Sequence, residues 1–177
     1  MSAFTDACTE AMLELAKDSR VLFIGQNVSY PGHIIYDTLQ DIPEERKIEV
    51  PVFEDTQMGI STGLALAGFL PVTCYPRLDF LLLAMNQLVL HLDKLATMSK
   101  AQFTPQVIVR TMLGANHPLD PGPQHAGHYI ETLQSALTYT PVLTARTPKE
   151  VLAAYRSAHS YKSCGCVVVE IDPDKCR

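Results

Sequence analysis

Two spacings of apolar residues take turns along this chain. Residues 3–17 repeat at a helical period, with Ala7, Ala11 and Leu15 on one face and Thr5-Asp6 near the start. The short apolar run over 20–25 predicts a buried strand, and Pro31-Gly32 then opens a segment reaching about Gln40. Further apolar, largely β-branched runs predict strands over 48–53, 72–75, 106–110, 142–145 and 166–171. Helical periods fill the intervals 57–67, 80–97, 125–137 and 148–160. The last helix has the clearest start, with Thr147 as N-cap and Pro148 at the first helical position. Strands this apolar, separated by helices, imply a doubly wound α/β fold whose mostly parallel sheet is covered on both faces. No repeat, low-complexity tract or linker interrupts residues 1–177, which read as one domain.

The helix over 57–67 is unusual. Gly59, Gly63 and Ala67 recur every four residues, so one stripe carries almost no side chain. Each glycine inside a helix costs about 1 kcal/mol relative to alanine, so the stripe asks for something that comes close, a second backbone or a flat ligand. Glu54 stands between the preceding apolar run and this helix, a carboxylate held either in a site or at the surface. Asp55 beside it reads as a solvated group or a helix cap.

Composition narrows the function. At 177 residues and 47% hydrophobic, the chain can bury a sizeable core. A net charge of −5 with no lysine or arginine stripe argues against a general nucleic-acid binder. The longest apolar patch opens at Leu81 but is broken by Asn86, Gln87, His91, Asp93 and Lys94, too early to span a membrane. The N-terminus lacks a basic flank followed by an apolar run, so no signal peptide is expected. The five scattered cysteines, including Cys164-Gly165-Cys166, have no partner ligands at zinc spacing and read as reduced thiols of a cytoplasmic protein.

Candidate binding groups gather where open α/β sheets bind ligands, at the carboxyl ends of strands. Arg77 follows Pro76 at such an end and could grip a carboxylate or phosphate, or pair with Asp79 or a partner chain. The loop 113–124, with Asn116-His117-Pro118-Leu119-Asp120-Pro121-Gly122-Pro123, is too rich in proline and glycine for regular structure. His125 and His128 follow it. A metal site from His117, His125 and His128 would need regular spacing and an accompanying carboxylate, so no metal is assigned to this chain. His33, His91 and His159 read as structural or exposed. A flavodoxin-like nucleotide site is disfavoured, because Gly25 to Gly32 lacks the spacing of a phosphate loop.

Four of these motifs, in order, resemble the pyrimidine-binding (Pyr) domain of transketolase-type thiamine diphosphate enzymes, especially the beta subunits of 2-oxo acid dehydrogenase first components. They are Glu54 before the glycine-bearing helix, the turn Gly68 to Pro71 with its strand Val72 to Tyr75, the segment Leu78-Asp79-Phe80, and the pair Gln124-His125. The likeness runs from about Phe4 to Ile171. It implies that Glu54 hydrogen-bonds a ring nitrogen of the cofactor's aminopyrimidine and favours the tautomer that deprotonates the thiazolium. It also implies that Phe80 packs against the pyrimidine, in competition with a plain core role beside Leu78, Leu81 and Leu83. Gly59 lies in the same cofactor site. His125 would contact substrate or intermediate as proton donor or oxyanion partner, with Arg77, His117 and His128 as substrate-binding candidates.

Two features depart from the family. Gly25-Gln26-Asn27 stands where the beta subunits carry acidic residues, and the sequence contains no Gly-Asp-Gly diphosphate motif and none of the usual C-terminal domain after 172–175. The resemblance therefore implies a stand-alone Pyr subunit, active only with a diphosphate-binding partner chain that holds the magnesium ion, in a heterotetramer with two of each chain. The expected chemistry is cleavage or formation of a carbon–carbon bond next to a carbonyl on an anionic substrate, preferably 2-oxo acid decarboxylation with acyl or aldehyde transfer. Ketol transfer between sugar phosphates, or a non-catalytic domain that assembles with or regulates a partner, are the alternatives.

Overall fold

The computed structural model describes residues 2–117 and 119–176; Pro118, in the proline-rich loop, lies outside them. Six strands form one parallel sheet: β1 (Val21–Gly25), β2 (Lys47–Glu49), β3 (Leu70–Tyr75), β4 (Ile108–Met112), β5 (Val142–Ala145) and β6 (Cys166–Glu170). Their order is β2-β1-β3-β4-β6-β5. The predicted doubly wound α/β architecture is present, and every strand pairing is parallel.

Two apolar layers cover the sheet, because alternate strand residues point to opposite faces. Ile108 and Val168 meet α1 (Ala3–Leu15), α2 (Ile34–Asp37) and α7 (Pro148–Ser160) on one face through Phe4, Met12, Ile35 and Tyr155. Val109, Val167 and Val169 meet the other layer, built from α3 (Glu54–Leu66), α4 (Leu78–Leu81) and α6 (Ile130–Ala136) with Met58, Leu81 and Leu133. The connection leaving β1 runs to the first face and the connection leaving β3 to the second, so a crevice opens between them at the carboxyl edge. Thr147 caps α7 as the sequence predicts, and Glu150 completes a capping box by bonding back to the N-cap backbone.

Five predicted elements shift. β2 ends at Glu49 instead of 53: Val50 still donates to the Gly25 carbonyl, but Pro51 has no N–H to continue the ladder. α3 therefore begins at Glu54, three residues before the predicted start. β4 slides two residues forward, and Gln106 instead donates its amide to the His159 carbonyl at 2.7 Å. The predicted helix over 80–97 begins at Leu78 and breaks up, through a tight turn at Leu82–Ala84 and a π-helical stretch Asn86–Leu92, to α5 (Leu95–Met98). There the Gln87 N–H turns to the Asp55 carboxylate at 3.3 Å. The helix predicted over 125–137 starts only at Ile130, since Arg77 and Asp79 hold the backbone of 125–127.

Between β4 and β6 lies a buried ion pair that the sequence did not single out. Arg110, fully buried, donates to Glu170 at 2.9 Å and 3.3 Å and to Thr38 at 2.9 Å, while the Tyr155 hydroxyl donates to Glu170 at 2.5 Å. Every charge in this cluster has partners, the condition under which an ion pair survives burial. All five cysteines are free thiols, and burial pushes Cys74 and Cys166 up to about 12, which makes both inert. Among the described residues no helix is long and apolar enough to cross a membrane, and no group of three His, Cys, Asp or Glu is placed to hold a metal ion.

Candidate active site

Glu54 is the first residue of α3, and its side chain is 6% exposed. The head of the helix is fixed from below: the Tyr75 hydroxyl, at the end of β3, donates to the Glu54 carbonyl at 3.0 Å. Its carboxylate has no hydrogen-bond partner among the described residues. Its oxygens are not among the fully enclosed unpaired atoms, so the carboxylate opens to solvent at the edge, where a ligand or partner could reach it. Of the apolar residues around it, Met58 is buried and Phe53 half-buried, while Ile60 turns outward. Asp55 is half-buried and, rather than capping its own helix, accepts from the Gln87 N–H.

The same helix presents Gln57 one turn on. Its amide donates to Thr73 Oγ1 at 2.9 Å and to the Cys74 carbonyl at 3.1 Å, which bolts α3 to β3. Gly59 faces the Gln87 side chain, and a Cβ there would sit 3.5 Å from it, an ordinary contact. Gly63 has open space around it. Among the described residues, then, nothing approaches closely enough to require either glycine, and Gly63 and Ala67 are left on the surface.

Arg77, Phe80 and His125 come together. The ring of Phe80 meets His125 edge to face, with centroids 5.6 Å apart. Arg77 Nη1 donates to the His125 carbonyl at 3.2 Å, and the Gly127 N–H donates to Asp79 Oδ1 at 3.0 Å. Arg77 thus pairs with the loop rather than with Asp79, and the two side chains clamp residues 125–127 from either side of Phe80. Gly114 completes the clamp: a Cβ there would lie 1.6 Å from the His125 carbonyl oxygen. His117 and His128 are both exposed and form no side-chain hydrogen bond with this group among the described residues. His33 caps α2, accepting the Ile35 N–H on Nδ1; His159 meets Asp18, and His91 is exposed.

Six buried side-chain atoms lack a hydrogen-bond partner among the described residues: Gln26 Nε2, Gln57 Oε1, Asp79 Oδ2, Thr111 Oγ1, His125 Nδ1 and Asp172 Oδ2. Four stand at or soon after the ends of β1, β3, β4 and β6, Gln57 is at the head of α3, and His125 is in the loop from β4 to α6 that packs on Phe80. Buried polar atoms are almost always paired, so their concentration on one edge makes it the candidate binding edge. The opposite, amino-terminal edge contributes none. Sequence reasoning missed Gln57 and Asp79, although both are polar residues within three positions of predicted site residues. It also missed Glu49, whose carboxylate accepts from the N–H groups of Asn27, Val28 and Ser29 at 2.8, 2.7 and 2.9 Å. An acid from β2 therefore shapes the loop in which Gln26 and Asn27 replace the family's acids.

The 2-oxoisovalerate dehydrogenase subunit beta of Bacillus subtilis is 28% identical over 116 residues, covering 63% of this chain and 36% of that protein. The 3-methyl-2-oxobutanoate dehydrogenase subunit beta of Mycobacterium tuberculosis is 29% identical over 164 residues, 91% of this chain and 45% of that protein. The chain thus spans less than half the length of these relatives. A solved chain described as a split gene transketolase, inactive beta4 tetramer, shares the fold with a TM-score of 0.69 at 13% identity, over 94% of this chain and 50% of that one. The transketolase pyrimidine-binding domain family matches residues 1–171, and the chain belongs to that family.

Proposed function

We propose that this chain, as a single Pyr domain, is the pyrimidine-binding subunit of a two-chain thiamine diphosphate-dependent enzyme of the cytoplasm. The favoured reaction is decarboxylation of a 2-oxo acid with transfer of the acyl or aldehyde unit. The observation that carries the reading is Glu54, 6% exposed and without a side-chain hydrogen bond among the described residues, opening on the edge where the enclosed unpaired polar atoms collect. A flat ring bearing a nitrogen acceptor would give that carboxyl group a partner, and the residues present fit it. Thiamine diphosphate would supply the thiazolium carbon that adds to the substrate carbonyl.

The rest is work for this chain. Glu54 would hold or share a proton with a ring nitrogen, in a position fixed by Tyr75 and Gln57 through the head of α3. Phe80 would offer an aromatic face to the heterocycle, and Gly59 would leave room for it. His125, held at its carbonyl by Arg77 and with Nδ1 free, would move a proton or steady negative charge on the substrate oxygen. Arg77, with His117 and His128 from the flanking loop, would supply basic groups for an anionic substrate. Magnesium and the diphosphate would belong to a partner chain, in an assembly with two copies of each.

Calorimetry tests this with thiamine diphosphate and Mg²⁺, using the chain alone and then mixed with a Gly-Asp-Gly-bearing chain encoded beside it. Cofactor binding in the mixture, weakened by Phe80→Ala about fivefold to tenfold, is the expected result. No binding in a folded, paired sample would leave a non-catalytic assembly domain.

A further inference from the structure

A cavity of about 210 Å³ opens in the crevice between the connections leaving β1 and β3. Both layers line it: Phe4 and Met112 pack with one, Leu113 with the other, Ile34 heads α2, and Arg77 and Ala115 follow β3 and β4. Arg77 also donates to the His125 carbonyl at 3.2 Å, so the cavity adjoins the group formed by Arg77, Phe80 and His125.

Most of the charge on its wall is already matched. Glu170 is paired with Arg110, and Lys175 stands 3.9 Å from Asp172. Burial, then the charges of Arg110 and Arg77, hold His33 down to about 4, so its ring is neutral at pH 7. Arg77 forms no ion pair among the described residues and spends only Nη1, on an uncharged carbonyl. A guanidinium free to take a carboxylate, beside apolar walls, suits the two ends of one aliphatic acid. We propose that this cavity takes the carboxylate and alkyl tail of an aliphatic 2-oxo acid, with Arg77 on the carboxylate and Met112 and Ala115 setting the length of the tail. The proposal rests on reading this chain as a subunit that acts on 2-oxo acids, and narrows which ones.

Size sets the class. The cavity is smaller than the roughly 300–1,000 Å³ typical of drug-sized ligands. At about 30 Å³ for each water-sized group it holds about seven, three for a carboxylate and about four for the carbons of a tail. The acid would bend at C2, leaving its reacting carbonyl at the mouth on the side of Arg77 and His125. Pyruvate would leave most of the apolar wall uncovered, and the ring of phenylpyruvate would not fit. The second carboxylate of 2-oxoglutarate would be stripped of water against carbon. Met112 and Ala115 are half-buried where Phe4 and Leu113 are buried, so their size can change with least disturbance to the core. Ala115 is also the smallest apolar side chain on the wall.

The test is a ligand-observed NMR titration of the chain without cofactor or partner. The probes are the straight-chain acids pyruvate, 2-oxobutanoate, 2-oxopentanoate, 2-oxohexanoate and 2-oxooctanoate, with 2-hexanone as the control that lacks a carboxylate. Affinity should rise about fourfold for each added carbon, about sixtyfold from pyruvate to 2-oxohexanoate, and then fall at 2-oxooctanoate. The ketone should bind at least tenfold more weakly than 2-oxohexanoate. Ala115→Leu should move the optimum down to pyruvate or 2-oxobutanoate, and Met112→Ala should move it up to 2-oxooctanoate. No binding, a flat series, a rise that continues through 2-oxooctanoate, equal binding of the ketone, or an optimum unmoved in both variants would overturn the proposal; the native series decides without any variant. Cofactor binding with a flat series would remove the pocket alone, while a stepped series without cofactor binding would remove the thiamine diphosphate reading and keep the pocket.

Discussion

Single residues at the carboxyl edge are under constraints that differ in how far they can be read from sequence. Glu54 is legible because an acid stands between an apolar run and a helix of small residues, and burial in the structure bears out its enclosed position. Gly114 is not, because its requirement comes from the backbone of a residue in a proline-rich loop. Gly114→Ala would force its Cβ into the His125 carbonyl, so the clamp must open. The expected result is a loss of about 1–3 kcal/mol in denaturant unfolding and release of the Phe80–His125 contact, seen as a changed His125 proton chemical shift. His33 gives a pH signature. Burial, with Arg110, Arg77 and Lys175 opposing and Glu170 favouring the charge, keeps its folded value near 4 against 6.5 ordinarily. The folded state therefore resists a proton that the unfolded chain accepts, so stability from this ring is full above pH 6.5 and falls as pH drops towards 4. The loss is of order 2 kcal/mol for a partly exposed ring, and His33→Asn, which keeps an N-cap, should flatten that limb of the stability profile.

Among the elements, periodicity succeeds where neighbours along the chain decide the backbone and fails where a distant side chain does. The helix over 148–160 forms as expected because its capping box is local. The segment 80–97 has the spacing of one helix, yet Asp55 captures the Gln87 N–H and the run becomes a π-helical stretch. Asp55→Ala should relax 84–92 towards ordinary α-helix, which hydrogen exchange at Gln87 would report as slower exchange. The central strands show a second limit. Arg110 and Glu170 sit in apolar runs of β4 and β6, and only their pairing across the sheet explains two charges in the core. Arg110→Met should cost about 3–5 kcal/mol by stranding Glu170, and Arg110→Met with Glu170→Leu should recover much of it. A double variant as unstable as the single one would assign the cost to packing instead.

At the level of the whole molecule, the alternation of strands and helices was enough to predict a covered parallel sheet, and the family motifs named residues that the fold brings to its carboxyl edge. The crevice between β1 and β3 was not visible in sequence, since it depends on two connections diverging to opposite faces. Nor were the unpaired atoms of Gln26, Thr111 and Asp172, which become notable only once burial is known. These features together make one edge the site of all the candidate chemistry, with Glu54 on the α3 side as its central claim. The most direct test is the exchange of the thiazolium C2 proton of thiamine diphosphate for deuterium, followed by NMR in the assembled two-chain protein. Glu54→Gln should slow this exchange about 10²–10⁴-fold while cofactor affinity changes less than tenfold. Exchange in Glu54→Gln as fast as in the native protein would contradict the account.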